Sequence, residues 1–138
     1  MTYLLDTNVI SELRKREPDR NVLSWYDSVP TAQLFLSVLT VGEIRTGIER
    51  LRRKDANQAD ALERWLARLQ VSYREHLVGI DIETAREWGR ISTPDPVPVI
   101  DGLLAATARI HGWTLVTRNT ADVRRTGVAL LNPFDPQS

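Results

Sequence analysis

The 138-residue chain is 42% hydrophobic and 26% charged, with a formal net charge of zero. That suffices for one domain around a single core, is too short for two, and lacks the bulk electrostatic pull of a strongly basic nucleic-acid binder. With no cysteine, disulfides and Cys-ligated zinc are excluded. No apolar run approaches the roughly 18 residues of a spanning helix, and Met1 to Leu5 meets Asp6 too soon for a secretory signal, so a soluble, cytoplasmic protein without membrane contact is expected. The basic residues are almost all arginine, with Lys15 and Lys54 the only lysines; arginine suits bidentate phosphate contacts, although codon usage explains the bias equally well.

In chain order, Tyr3-Leu4-Leu5 reads as a short buried strand stopped by Asp6-Thr7-Asn8, with short helices from Val9 to Lys15 and Asn21 to Ser28. Residues 34–38 form the next strand, and Thr40 to Arg53 a helix with Ile44, Ile48 and Leu51 at helical spacing. Asn57 to Arg74 is the longest helix, striped by Leu62, Trp65, Leu66 and Leu69. A strand over 77–80 precedes a helix capped by Asp81, and the three prolines between Thr93 and Pro98 impose a loop. Ile100 to His111 is an alanine-rich helix ended by Gly112; Trp113 to Thr117 is a strand, 121–125 a helical turn and Val128 to Leu131 a last strand. This alternation, with connections too long for hairpins, predicts an α/β domain: a mostly parallel sheet of about five strands with helices on both faces.

Ligands of such sheets bind beyond the carboxyl ends of the strands. Asp6 follows the first strand directly, Glu43 lies early in the helix after the second, Asn119 and Asp122 follow the strand ending at Thr117, and Asp101 opens the alanine-rich helix. Each has a purely structural explanation. Asp6 can cap the first helix, Thr40 and Glu43 have capping-box spacing, Asn119 and Asp122 have similar cap spacing, and Asp101 suits the positive end of a helix dipole. The set says more than its members. Asp6 and Asp101 sit among apolar neighbours, where an unpaired charge is costly, and neither lysine nor histidine is placed to partner them. A divalent cation answers several converging carboxylates, and oxygen donors without Cys or His favour Mg²⁺ or Mn²⁺ over zinc.

Four segments carry a resemblance. Leu4-Leu5-Asp6-Thr7-Asn8-Val9-Ile10-Ser11-Glu12-Leu13 resembles the opening signature of PIN domains, and Ser37-Val38-Leu39-Thr40-Val41-Gly42-Glu43-Ile44 their second motif. Residues Pro98 to Ala108, around Asp101, are similar to the third motif, and Leu115 to Val123 to the fourth, with Leu131-Asn132-Pro133-Phe134 as the usual ending. The likeness covers residues 1–138 as a single PIN domain and is strongest to VapC-type and FitB-like toxins.

The resemblance implies a Rossmann-like sheet and a Mg²⁺-dependent endoribonuclease, the toxin of a toxin–antitoxin pair. Asp6, Glu43 and Asp101 would form its acidic core, and the fourth position falls to Asn119 or Asp122, with Asp122 taken as the fourth catalytic and metal-binding acid. Asn119 brings no charge, which leaves one metal ion or two open. Thr7, Asn8, Thr117 and Asn119 would orient carboxylates or waters. Arg45, Arg118 and Arg124 are the candidate phosphate contacts. The implied partners are an RNA substrate, a cognate VapB-type antitoxin, and a second copy of the chain in a homodimer or toxin–antitoxin hetero-oligomer. The alternative is a catalytically weak PIN-like module that binds RNA or a partner without cutting. A phosphoacceptor receiver domain is disfavoured, because it wants a lysine after a late strand where this chain has Thr117-Arg118-Asn119.

Overall fold

The computed structural model describes residues 1–137. Strand β1 (Tyr3–Leu5) leads into α1 (Thr7–Leu13) and α2 (Arg20–Ser28), and β2 (Leu34–Ser37) into α3 (Val38–Arg52) and α4 (Ala56–Ser72). Strand β3 (Leu77–Val78) is followed by α5 (Ile82–Ile91) and α6 (Val99–His111), then β4 (Thr114–Val116), the short α7 (Thr120–Val123), a 3-10 turn (Arg124–Thr126) and β5 (Leu130–Leu131).

The strands form one five-stranded sheet in the order β3-β2-β1-β4-β5, and every pairing is parallel. The chain therefore builds outward from β1 in one direction, then crosses back to build in the other. The crevice at the carboxyl ends of β1 and β4 is where that reversal leaves room for a ligand.

Consecutive residues of β1 point to opposite faces, and both are fully buried: Leu4 and Leu5 each expose 0% of their surface. Leu5 packs with Val9, Val22, Leu36, Ile48 and Leu66 under α1 to α4, whereas Leu4 packs with Ile91, Leu104, Ala105, Leu115 and Val128 under α5 to α7. Burying each such leucine contributes about 1.5–3 kcal/mol. The small residues of α6, Ala105, Ala106 and Ala108, are buried as well and let that helix lie close on the sheet.

Several local expectations need adjustment. Helix α3 starts at Val38 because Ser37 caps it, its hydroxyl accepting from the Leu39 amide at 3.0 Å. Thr40 is thus inside the helix, and the Thr40–Glu43 capping box does not form. Strands β3 and β5 are two residues long rather than four. At β5 the cause is Gly127, whose φ of +77° turns the backbone so that pairing begins only at Leu130. Asn119 stands at the cap position of α7 without a side-chain cap bond. Asp6 and Asp81 do cap their helices, and Gly112 ends α6 with φ +70°, the left-handed conformation glycine adopts without steric cost.

Candidate active site at the carboxyl edge of the sheet

Asp6 sits where the sheet reverses. Its amide donates to the Val116 carbonyl at 2.9 Å, so the backbone is fixed by the β1–β4 ladder. Its side chain is only 5% exposed. One carboxylate oxygen accepts from the Thr7 amide at 2.7 Å; the other accepts from the Thr117 hydroxyl at 2.7 Å and the Asn8 side-chain amide at 3.2 Å. These bonds favour the ionised carboxylate, yet burial outweighs them and pushes the Asp6 pKa above the ordinary aspartate value.

The neighbours of Asp6 are held in turn. The Thr117 hydroxyl accepts from the Asn119 amide at 3.0 Å, and the Asn8 carbonyl oxygen accepts from the Arg118 amide at 3.3 Å. Thr117 and Asn8 thereby tie the loop after β4 to the first turn of α1. The Thr7 hydroxyl donates to Glu43 in a short hydrogen bond and lies 3.2 Å from the Thr40 hydroxyl. A hydroxyl has one proton to give, and charged Glu43 is the stronger acceptor. Glu43 is thus positioned by a residue 36 places away in sequence.

Asp101 lies in the first turn of α6, half-buried, and its pKa is pushed up to about 6. Burial is the largest cause, followed by the negative charges of Asp6, Asp122 and Glu43. Four carboxylates drawn from β1, α3, α6 and α7 thus act on one space. None of them forms an ion pair with a basic side chain among the described residues. Nor do any three acids, among the described residues, stand close enough to make a ready-made cage around one ion. The arrangement is an open rim of negative charge rather than a closed metal-binding pocket.

A family model for the PIN domain matches residues 3–128. The chain belongs to the PIN-domain family. It is 33% identical to the VapC ribonuclease Y4jK of Sinorhizobium fredii over 141 residues, covering 96% of this chain and 98% of that one. The toxin FitB of Neisseria gonorrhoeae is 32% identical over 138 residues, covering 95% and 97%. Among solved structures, FitAB bound to an IR36 DNA fragment aligns with TM-score 0.89 at 29% identity over 99% of both chains, and FitAcB from Neisseria gonorrhoeae with TM-score 0.88 at 30% identity over 96% and 99%.

Within this PIN fold, Asp6, Glu43, Asp101 and Asp122 meet at one edge, with Thr7, Asn8 and Thr117 bonded to them or to one another. Asn119 contributes its backbone amide to Thr117. The arginines are more dispersed. Arg45 is bonded to Glu63 at 2.9 Å and Glu49 at 3.3 Å. Arg118 lies over the Phe134 ring, its guanidinium carbon 4.2 Å from the centroid, and Arg124 is exposed just after α7.

Two residues near the site escaped the sequence reading as anything but motif members. Thr40, fully buried, backs the Thr7–Glu43 bond. Glu12, buried on α1, accepts from the Asp19 amide at 2.9 Å and pairs with Lys15 at 2.8 Å, which fixes the turn into α2. The Lys15 bond also holds its pKa below the usual glutamate value. A glutamate three positions after the buried Val9 was the available signal.

Proposed function

We propose that this chain is a metal-dependent endoribonuclease that hydrolyses RNA phosphodiester bonds as the toxin of a toxin–antitoxin pair. The observation that carries the reading is the group of four carboxylates around one space with no basic partner, where their mutual repulsion and burial raise the proton affinity of Asp101. A cation relieves that repulsion. The donors are all oxygen, which suits Mg²⁺, with Mn²⁺ as the alternative. Mg²⁺ keeps several waters when bound, in keeping with acids that surround a space without closing on it. The names of the relatives point the same way: a VapC ribonuclease and the FitB toxin cover nearly the whole chain.

Asp6 and Asp101 are the principal ligands in this reading, with Glu43 and Asp122 completing the site. An ion held there supplies Lewis acidity and neutralises charge developing on the phosphate. The protein's own part is orientation. Thr117 and Asn8 hold one oxygen of Asp6, the Thr7 amide holds the other, and the Thr7 hydroxyl aims Glu43. Asp101 protonates more readily than an ordinary aspartate, so it is the acid most dependent on the cation to stay ionised near neutral pH.

The structural relatives include FitAB and VapBC complexes, so a cognate antitoxin is the expected partner, with RNA as substrate. Among the described residues no helix is long and apolar enough to cross a membrane. The test is induced expression of wild type and Asp101→Asn in a bacterial host, followed by sequencing of RNA 5′ ends. Growth arrest with new, discrete ends in wild type alone supports the reading. Equal behaviour of the two proteins, with purified chain inert in Mg²⁺ and Mn²⁺, removes it in favour of a non-cleaving binding module.

A further inference from the structure

A groove leads away from the acids along α3. Near the site it is lined by Leu39, Ile100, Gly42, Glu43, Thr46 and Arg50, with a volume of about 590 Å³. Thr46 and Arg50 also border the hollow that continues to Arg53 and Lys54. These α3 positions recur every three or four residues, so they share one helix face. At 1.5 Å per residue, Arg50 stands about 10 Å and Arg53 about 15 Å along the axis from Glu43.

The helix sorts its cations. Arg45, at the groove rim, and Arg52 are engaged by acids: Arg45 by Glu49 and Glu63, Arg52 by Asp60 at 2.7 Å and Glu63 at 2.9 Å. Arg50, Arg53 and Lys54 are exposed and make no ion pair among the described residues. Basic residues favour a helix C-terminus through its dipole, but that preference does not place three of them on one hollow joined to an acidic site.

Gly42 supplies a second, independent observation. It is exposed in the helix interior, where glycine is among the poorest residues. A Cβ there would meet nothing within 4 Å, so packing within the chain does not require its absence. Gly47 is equally unconstrained but lies outside the groove. A bare helix surface beside Glu43 lets another backbone approach closely. The occupant that fits unpaired cations, a bare floor and apolar flanks from Leu39 and Ile100 is a single nucleic-acid strand, with phosphates on the cations and bases against the apolar surface.

Building on the ribonuclease reading above, we infer that the α3 groove is the track on which single-stranded RNA lies, its phosphates on Arg50, Arg53 and Lys54 and its scissile bond at the acids. The probe is a short, labelled, mixed-sequence oligoribonucleotide, followed by fluorescence anisotropy against the full chain, with Ca²⁺ replacing Mg²⁺ to suppress cleavage. Replacing all three cations (Arg50→Gln, Arg53→Gln, Lys54→Gln) weakens binding by about ten-fold or more. It also makes the plot of log affinity against log salt shallower by about 2, since each phosphate contact on a single strand contributes about 0.7. Arg86→Gln on α5 leaves both unchanged. Gly42→Leu, a better helix former, keeps the melting temperature while raising KM for cleavage in Mg²⁺.

Wild-type affinity and salt slope in the triple variant overturn the track, as does wild-type KM in Gly42→Leu. If the triple variant binds RNA normally but no longer captures the cognate antitoxin, the groove belongs to a protein partner and the track is likewise overturned. Cleavage by the triple variant at wild-type KM removes the track alone. Wild type that neither binds nor cuts RNA removes the ribonuclease reading, and the track with it.

Discussion

The two ends of the sheet are built on opposite principles. At the amino end, four rings stack across the strands: His76 on Phe35 with centroids 4.4 Å apart, Phe35 on Trp113 at 4.5 Å, and Trp113 on His111 at 4.3 Å. Both histidines are also anchored, His76 Nδ1 to the Leu34 carbonyl at 2.8 Å and His111 Nδ1 to the Thr107 carbonyl at 2.9 Å. At the carboxyl end the same strands deliver four carboxylates into one space with no counter-charge. One end uses its side chains to satisfy each other, and the other leaves like charges facing. Unrelieved charge in an otherwise well-packed domain marks the place where the fold gives up stability for binding.

The comparison breaks most sharply at Asp101. Asp101→Asn should lower RNA cleavage on the order of 10³-fold or more, since metal stabilisation of the transition state is worth several kcal/mol. The same change should leave the metal-free melting temperature unchanged or raised, because it removes a like charge. Trp113→Ala at the other end should do the reverse. It should cost about 3 kcal/mol in urea unfolding, with the cleavage rate per folded molecule unaltered.

Thr117→Val falls between these two, since it strips the hydroxyl from a buried carboxylate oxygen of Asp6. A loss of about 10- to 100-fold in metal affinity or activity is expected, as for other groups that orient ligands, and metal titration would read it. The smallest effect is the pH dependence of the metal-free chain. The pKa values of Asp101 and Asp6 are raised in the folded state, so over that window the native state binds more protons than the unfolded one. Stability should therefore rise as pH falls from 7 through about 6 toward the unfolded aspartate value. Melting curves at pH 7 and pH 5.5 would check the sign, and saturating Mg²⁺ should reverse it, because protons and metal compete for the same oxygens.

The site acids were legible because a parallel α/β sheet presents whatever follows its strands at one edge, and Leu4-Leu5-Asp6 announces a charge directly after a buried strand. The parallel sheet itself was legible from strands and helices in alternation. What joins the acids was not. The Thr7–Glu43 bond depends on how α1 and α3 pack, and no local pattern encodes a contact across 36 residues. Thr40 and Glu43 looked like a capping box because spacing alone cannot tell that Ser37 starts the helix earlier. The aromatic stack was hidden for the same reason, since Phe35, His76 and Trp113 come from three strand starts that only the register brings together.

Calorimetric titration of Mn²⁺ into the purified chain at pH 7.5, wild type against Asp101→Asn, tests the central claim most directly. Saturable binding in wild type that is lost or at least ten-fold weaker in Asp101→Asn is the predicted result. No binding in wild type, or equal binding in both, would contradict the assignment of the carboxyl edge as a metal site.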